Sequence, residues 1–234
     1  MNPVFEQLKG GLVVSCQAEG DSPFNIPERV ADFAEAAVQG GAIGIRSQGV
    51  EKTKAIIDRV ALPVIGLIKS EFEDGYVRIT GSFQEVEQLI AINTDIIAID
   101  GTFREREGMS GPAFIKEVKA RYDCVVMADI ATVEEGIACA EAGADCLSTT
   151  LSGYTPDTKD KPKQGPDFAF LSEMVQQSSI PVFAEGRVNT PEDAAKMIQL
   201  GAWGVVVGSA ITRPHLVTQW YVEKIGAVNA VHDV

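Results

Sequence analysis

Eight short runs rich in valine and isoleucine recur along the chain and constrain its fold more than any other feature. They are LVVSCQ (12–17), AIGIRS (42–47), PVIGLIKS (63–70), IIAID (96–100), CVVMADI (124–130), CLSTT (146–150), PVFAEG (181–186) and GVVVGSA (204–210). Their hydrophobicity is continuous rather than alternating, as in parallel strands buried on both faces. Between most of them lie stretches of helical spacing, such as PERVADFAEAAVQGG and TVEEGIACAEAGAD. Each connection is long enough for the helical crossover that parallel neighbours require. Eight strand–helix units in 234 residues predict an α/β fold, a single (β/α)₈ TIM-barrel domain over residues 1–234. The competing architecture, an open doubly wound sheet, usually has fewer strands, and no G-x-G-x-x-G follows the first run.

The second half also repeats itself. MADIATVEEGIACAEAGADCLSTT aligns with FAEGRVNTPEDAAKMIQLGAWGVVVGSA after a two-residue insertion. Thr132 and Thr190 then match as helix N-caps, each followed by acids in the first turn. Gly143-Ala144 and Gly201-Ala202 match as helix stops. Asp129 and Glu185 fall on the same place, the carboxyl end of a strand.

The net charge of -13 argues against a nucleic-acid partner, which needs a basic surface. An anionic small substrate is compatible with that charge, because a few local cations can reverse the field inside a cleft. No segment approaches the roughly 20 apolar residues of a membrane span, and the N-terminus lacks a signal-peptide pattern. The four cysteines lie in apolar runs without metal-like spacing, which reads as reduced thiols in a cytoplasmic protein. Cys16, the one cysteine near a strand end, reads as a core thiol. No cluster of Cys, His and carboxylates calls for a metal, and His215 and His232 both lie beyond the last strand.

In a barrel of this kind, chemistry belongs to the carboxyl ends of the strands. Those ends read Gln17, Arg46, Lys69, Asp100, Asp129, Thr149-Thr150, Glu185 and Gly208-Ser209. Charged side chains seldom stay buried unless paired or used, so six charged or amide ends exceed what a core requires. Lys69 follows PVIGLI, with Arg46 on the neighbouring strand. Apolar walls and a nearby cation would both favour the neutral amine, a form able to take a proton from carbon. Asp129 and Glu185 are its expected partners, one as acid or base and the other as orienting group. The bland alternative is a permanent bridge from Lys69 to one of them.

The loops after strands 7 and 8 are the common phosphate site of such barrels. Gly186 in AEGRV and Gly208, Ser209 and Arg213 in VGSAITRP supply the glycines, hydroxyl and guanidinium that a phosphate needs. The loop LSGYTPDTKDKPKQGPDF, long and polar, reads as a lid over 151–166 with Tyr154 and Thr155 near its stem and its lysines at a solvated tip.

These residues also resemble a known family, the N-acylglucosamine-6-phosphate (N-acetylmannosamine-6-phosphate) 2-epimerases of sialic-acid breakdown. The likeness runs from about the first strand to the last helix through SCQA, GAIGIR, PVIGLIK, IIAIDGTFRER, MADIAT, STTLSGYT, VFAEGRVNTPEDA and VVVGSAITRP. It departs after strand 4, where Gly101 stands in place of alanine and Glu107 in place of proline. The resemblance implies a homodimeric barrel that interconverts two N-acetylated hexosamine 6-phosphates without an organic cofactor. Lys69 and Glu185 would be the catalytic pair, with Gln17, Arg46, Asp129 and Arg213 as substrate contacts. The alternatives are an aldose–ketose isomerase, an aldolase with a Schiff-base lysine, and a non-catalytic sugar-phosphate binder. The isomerases place a carboxylate at the end of strand 1, where this chain has Gln17. Borohydride with substrate would trap Lys69 in an aldolase.

Overall fold

The computed structural model describes residues 2–161 and 163–232. Its frame is a closed parallel barrel of eight strands: β1 (Leu12–Cys16), β2 (Gly44–Gln48), β3 (Val64–Leu67), β6 (Ile96–Asp100), β7 (Val126–Asp129), β8 (Cys146–Ser148), β9 (Val182–Glu185) and β10 (Val205–Val207), with β10 pairing back onto β1. Helices α2 (Pro27–Gln39), α3 (Val50–Ile57), α4 (Phe83–Ala91), α5 (Gly111–Arg121), α6 (Val133–Glu141), α7 (Phe168–Gln177) and α8 (Pro191–Gln199) follow successive strands.

The continuous hydrophobicity of the strands has a direct cause. One set of side chains, including Val13, Ile65, Ile96, Met127, Cys146, Phe183 and Val206, fills the barrel interior. The alternate set, including Val14, Ile45, Ile97, Val126, Leu147 and Val205, packs outward against the helices. Helix α1 (Pro3–Gln7) closes the amino-terminal end, sending Phe5 and Leu8 into the interior cluster. Glycine makes room for it. A Cβ on Gly44 would lie 2.5 Å from Leu8 Cδ2, and one on Gly204 would lie 2.8 Å from the Leu8 carbonyl oxygen.

Thr132 and Thr190 cap α6 and α8, as their spacing predicts, and Thr132 forms a reciprocal capping box with Glu135. Gly143 and Gly201 follow those helices with φ of +99° and +97°. The departures after the fourth barrel strand have local reasons. A Cβ on Gly101 would meet Cys139 Sγ at 2.8 Å, and Glu107 has φ +49°, which a proline ring forbids.

One element departs from the sequence expectation. The run 63–70 is not one strand. Barrel strand β3 stops at Leu67, and an antiparallel hairpin, β4 (Lys69–Glu71) with β5 (Val77–Ile79), is inserted before α4. Its tip carries Asp74-Gly75, with Gly75 at φ +77°. Arg78 ties the ribbon to itself through Asp74 and to the barrel through the Glu105 carbonyl, and Arg104 donates to the Val77 carbonyl. After the barrel come α9 (Ser209–Thr212) and α10 (Pro214–His232), and α10 exposes Tyr221, Val222, Ile225 and Val228.

Candidate active site

A cavity of about 500 Å³ opens at the carboxyl ends of the barrel strands. Lys69, Arg46, Glu185 and Gln17 line its floor and walls; Gly186, Gly208, Ser209 and Arg213 line one side, and Tyr154 its rim. The hairpin completes the wall with Tyr76, Val77 and Ile79.

Arg46 organises the floor. It lies on β2, 1% exposed, and grips Asp129 with both terminal nitrogens, Nη2 to Oδ2 at 2.6 Å and Nη1 to Oδ1 at 3.1 Å. The same Nη1 stands 3.2 Å from Glu185 Oε2. Barrel closure makes this contact, since β2, β7 and β9 are distant in sequence. Burial alone would lower the guanidinium's pKa, but the two carboxylates outweigh it and raise it further above its usual value. Burial holds the Asp129 carboxyl above the usual range, with Arg46 opposing. Glu185 is raised by burial and by Asp129, again against Arg46. Three charges that would be expensive singly are thus held as one cluster.

Lys69 sits differently from the sequence expectation. It begins the hairpin rather than ending a barrel strand, its side chain is 29% exposed, and its ammonium pairs with Glu19. The expected cation beside it, Arg46, has its charge taken up by Asp129 and Glu185. The alternative of a permanent bridge from Lys69 to either of those acids is not what forms. Glu19 itself escapes sequence reasoning. It follows Gln17 in the loop after β1 and spans two cations, Lys69 and, at 3.8 Å, Arg213. Burial would raise its carboxyl, but the hydrogen bond and charge of Lys69, with Arg213 behind, bring it below the usual value. The sequence signal was an isolated acid one loop away from a lysine, legible only once the barrel is closed.

The expected phosphate residues converge on the cavity. Gly186 has φ +113°, a region that side-chain-bearing residues rarely occupy, so the turn after β9 needs glycine. Gly208 and Ser209 lead from β10 into α9, and Arg213 follows, 30% exposed. Gln17 is held by its donation to Ser15 Oγ at 2.9 Å.

Of the other strand-end residues, Thr150 lines the cavity, whereas Asp100, Asp129 and Thr149 do not. Asp100 is fully buried, clamped by Arg104 and Arg106 and by the Thr102 hydroxyl. Of those, Arg104 lines the cavity and Arg106 is buried. Asp129 lies wholly buried behind Arg46. Thr155 corrects the expectation of a substrate contact: its hydroxyl is buried in the loop, 2.7 Å from that of Thr158. The described part of the 151–166 loop, which excludes residue 162, is tied down rather than swung free. Lys161, expected at a solvated tip, bridges to Asp167 and donates to Ser152, and Arg187 donates to the Ser152 and Gly165 carbonyls. Cys16 is a core thiol, pushed up to about 12 by burial. Among the described residues, no group of three or more His, Cys, Asp or Glu could hold a metal ion, and no helix is long and apolar enough to cross a membrane.

Residues 30–227 match the NanE family model, described as "Putative N-acetylmannosamine-6-phosphate epimerase". A Clostridioides difficile (strain 630) protein named "Putative N-acetylmannosamine-6-phosphate 2-epimerase" is 45% identical over 223 residues, spanning 95% of this chain and 99% of its own. One of the same name from Enterobacter sp. (strain 638) is 44% identical over 97% of each chain. Among solved structures, the N-acetylmannosamine-6-phosphate 2-epimerase from Clostridium perfringens superimposes with a TM-score of 0.87 at 41% identity, over 94% of this chain and 95% of that one. A thiamine phosphate pyrophosphorylase from Pyrococcus furiosus, 18% identical, superimposes with a TM-score of 0.61 over 89% of each chain and shares the fold alone.

Proposed function

The chain belongs to the family of N-acetylmannosamine-6-phosphate epimerases, and from that premise we propose how its residues exchange the proton at C2 of the sugar. The protein is an isomerase-class enzyme that interconverts N-acetylmannosamine 6-phosphate and N-acetylglucosamine 6-phosphate. One observation carries the mechanistic reading: Lys69, Glu185 and Arg46 line the same cavity as Gly186, Gly208, Ser209 and Arg213. The acid–base groups and the residues read as an anion cradle therefore share one cavity.

In the open-chain sugar, C2 lies alpha to the aldehyde, so its proton is acidic enough for a positioned base. Once substrate breaks its pair with Glu19, the Lys69 ammonium releases its proton to solvent, and the neutral amine takes the C2 proton from one face. The resulting enolate oxygen is stabilised by the fixed positive charge of Arg46. Arg46 has an N–H to spare, because its buried Nε has no hydrogen-bond partner among the described residues. Glu185, which burial and Asp129 keep inclined to hold a proton, delivers it to the opposite face and inverts C2. The turnover leaves Lys69 protonated and Glu185 ionised, the starting state for the reverse reaction. Asp129 orients Arg46 rather than touching the sugar. Gln17 and Tyr154 contact the sugar, and Gly186, Gly208, Ser209 and Arg213 hold the phosphate, whose remote binding positions C2 for transfer.

The reading extends to a single barrel domain working in the cytoplasm as a homodimer without an organic cofactor. The exposed apolar face of α10, Tyr221, Val222, Ile225 and Val228, supports the dimer, since contiguous exposed apolar surface marks an interaction site.

Two measurements test the proposal. Epimer formed from N-acetylmannosamine 6-phosphate in deuterated water carries deuterium at C2; epimer without it ends the proton-transfer mechanism. Arg213→Ala raises KM by roughly 30-fold or more while kcat falls much less, as expected for loss of one charge-assisted contact to a remote anion. An unchanged KM removes Arg213 from the phosphate site.

A further inference from the structure

Thr150, just beyond β8, is placed where no single hydrogen bond explains it. Its Oγ1 lies 2.8 Å from Asp129 Oδ1, 3.0 Å from Glu185 Oε2 and 2.8 Å from Ser148 Oγ. The residue also lines the cavity. A hydroxyl carries one proton and can donate it to one acceptor at a time, while its lone pairs accept from others. Two carboxyls and one guanidinium crowd around it, so the cluster is balanced when one carboxyl holds a proton. Asp129 has the better claim to remain ionised, because Arg46 grips both of its oxygens.

We propose that Thr150 is a positioning residue for the epimerisation, a hydroxyl that rotates between the two acids as Glu185 gains and loses its proton. While Glu185 is protonated, its O–H donates to Thr150 Oγ1, and Thr150 donates to Asp129. Once Glu185 has given its proton to the sugar, the Thr150 hydroxyl turns and donates to the new carboxylate. No covalent bond of Thr150 forms or breaks; one hydrogen bond is exchanged for another. Ser148, 3.4 Å from Glu185 Oε2, stands behind as a second hydroxyl. Both states of Glu185 are thereby hydrogen-bonded in a partly buried place where an unpaired carboxylate would be costly. The inference rests on the proposed role of Glu185 as an acid. The charged and titratable groups facing this pair are Arg46 on β2, Lys69 on β4, Asp100 on β6, Asp129 on β7 and Cys146 on β8.

Thr150→Val keeps the branched shape and removes the hydroxyl. It lowers kcat by roughly 10- to 30-fold, the scale of one hydrogen bond to a charged group, with KM within about threefold. Carbon-13 NMR of the glutamate side-chain carboxyls supplies a readout that needs no substrate. The Glu185 resonance, identified by its disappearance in Glu185→Gln, titrates at higher pH in Thr150→Val, because a donor to the carboxylate form is gone. Thr150→Ser restores both kcat and the titration. An unchanged kcat, an unmoved Glu185 titration, or a serine that restores neither overturns the assignment. If the wild-type enzyme forms no epimer, the mechanistic reading fails separately, while the carboxyl titration still decides whether Thr150 governs Glu185.

Discussion

Lys69→Ala lowers kcat by about 10³-fold or more, within the range lost when a positioned acid–base group is removed. The same variant stops deuterium entering C2 of either epimer, and binds the sugar phosphate with a KM changed only a few-fold, because the phosphate is held elsewhere. Lys69→Arg does not rescue it, since a guanidinium stays protonated at working pH and cannot serve as base. Folding is barely touched: the Lys69–Glu19 pair is partly exposed, and such pairs contribute on the order of 0.5 kcal/mol. A stable, folded Lys69→Ala protein that still turns over at the wild-type rate removes the amine from the chemistry. Steady-state kinetics with a parallel urea titration checks both halves of the expectation.

Arg46→Leu gives the second large effect, and it falls on stability as well as rate. The substitution leaves the buried carboxyl of Asp129 and the partly buried one of Glu185 without the cation between them, and breaking such a cluster from one side costs about 3–5 kcal/mol. The loss depends on pH with a definite sign. Both carboxyls already bind protons more readily in the folded protein than in the unfolded chain, and loss of Arg46 strengthens that preference. A carboxyl with a raised folded pKa stabilises the fold below its unfolded pKa, and that contribution disappears as pH rises through the folded value. Arg46→Leu is therefore more stable at pH 5 than at pH 8, measured against wild type by urea midpoints. Adding Asp129→Asn recovers part of the loss, because one of the two stranded charges is gone. A penalty that is equal at both pH values would mean that the carboxyls are not the source of it.

The barrel was legible in the sequence because burial on both faces of a parallel strand leaves an unbroken apolar signature, and because Thr132 and Thr190 announce helix starts through their acids. Arg46, Glu185, Gly186, Gly208 and Arg213 were legible as a group, since polar residues at strand ends of such a fold converge on one face. Orientation and pairing were not. Asp100 carries the same strand-end signature as Asp129, yet only chain closure reveals that Arg104 and Arg106 cover it. Thr155 looked like a stem residue of a binding loop and instead bonds Thr158. The hairpin had a signal in Asp74-Gly75, the dipeptide of tight two-stranded turns, but the apolar run 63–70 reads naturally as one uninterrupted strand. Glu19 pairs with a residue 50 positions away, and no local pattern encodes that.

The amine assigned to the chemistry belongs to a two-stranded flap, not to the staves of the barrel. The flap is fastened at a few points, chiefly Arg78 to the Glu105 carbonyl and Arg104 to the Val77 carbonyl. On the role proposed for Lys69, the amine can be moved without touching the barrel strands, whereas Arg46 ties rate to stability. Shortening the flap, or cutting a fastening such as Arg78 to the Glu105 carbonyl, would detune the reaction by displacing the nitrogen while the eight staves stay assembled. A designer wishing to move a reactive group across this pocket could change the flap and leave the scaffold alone.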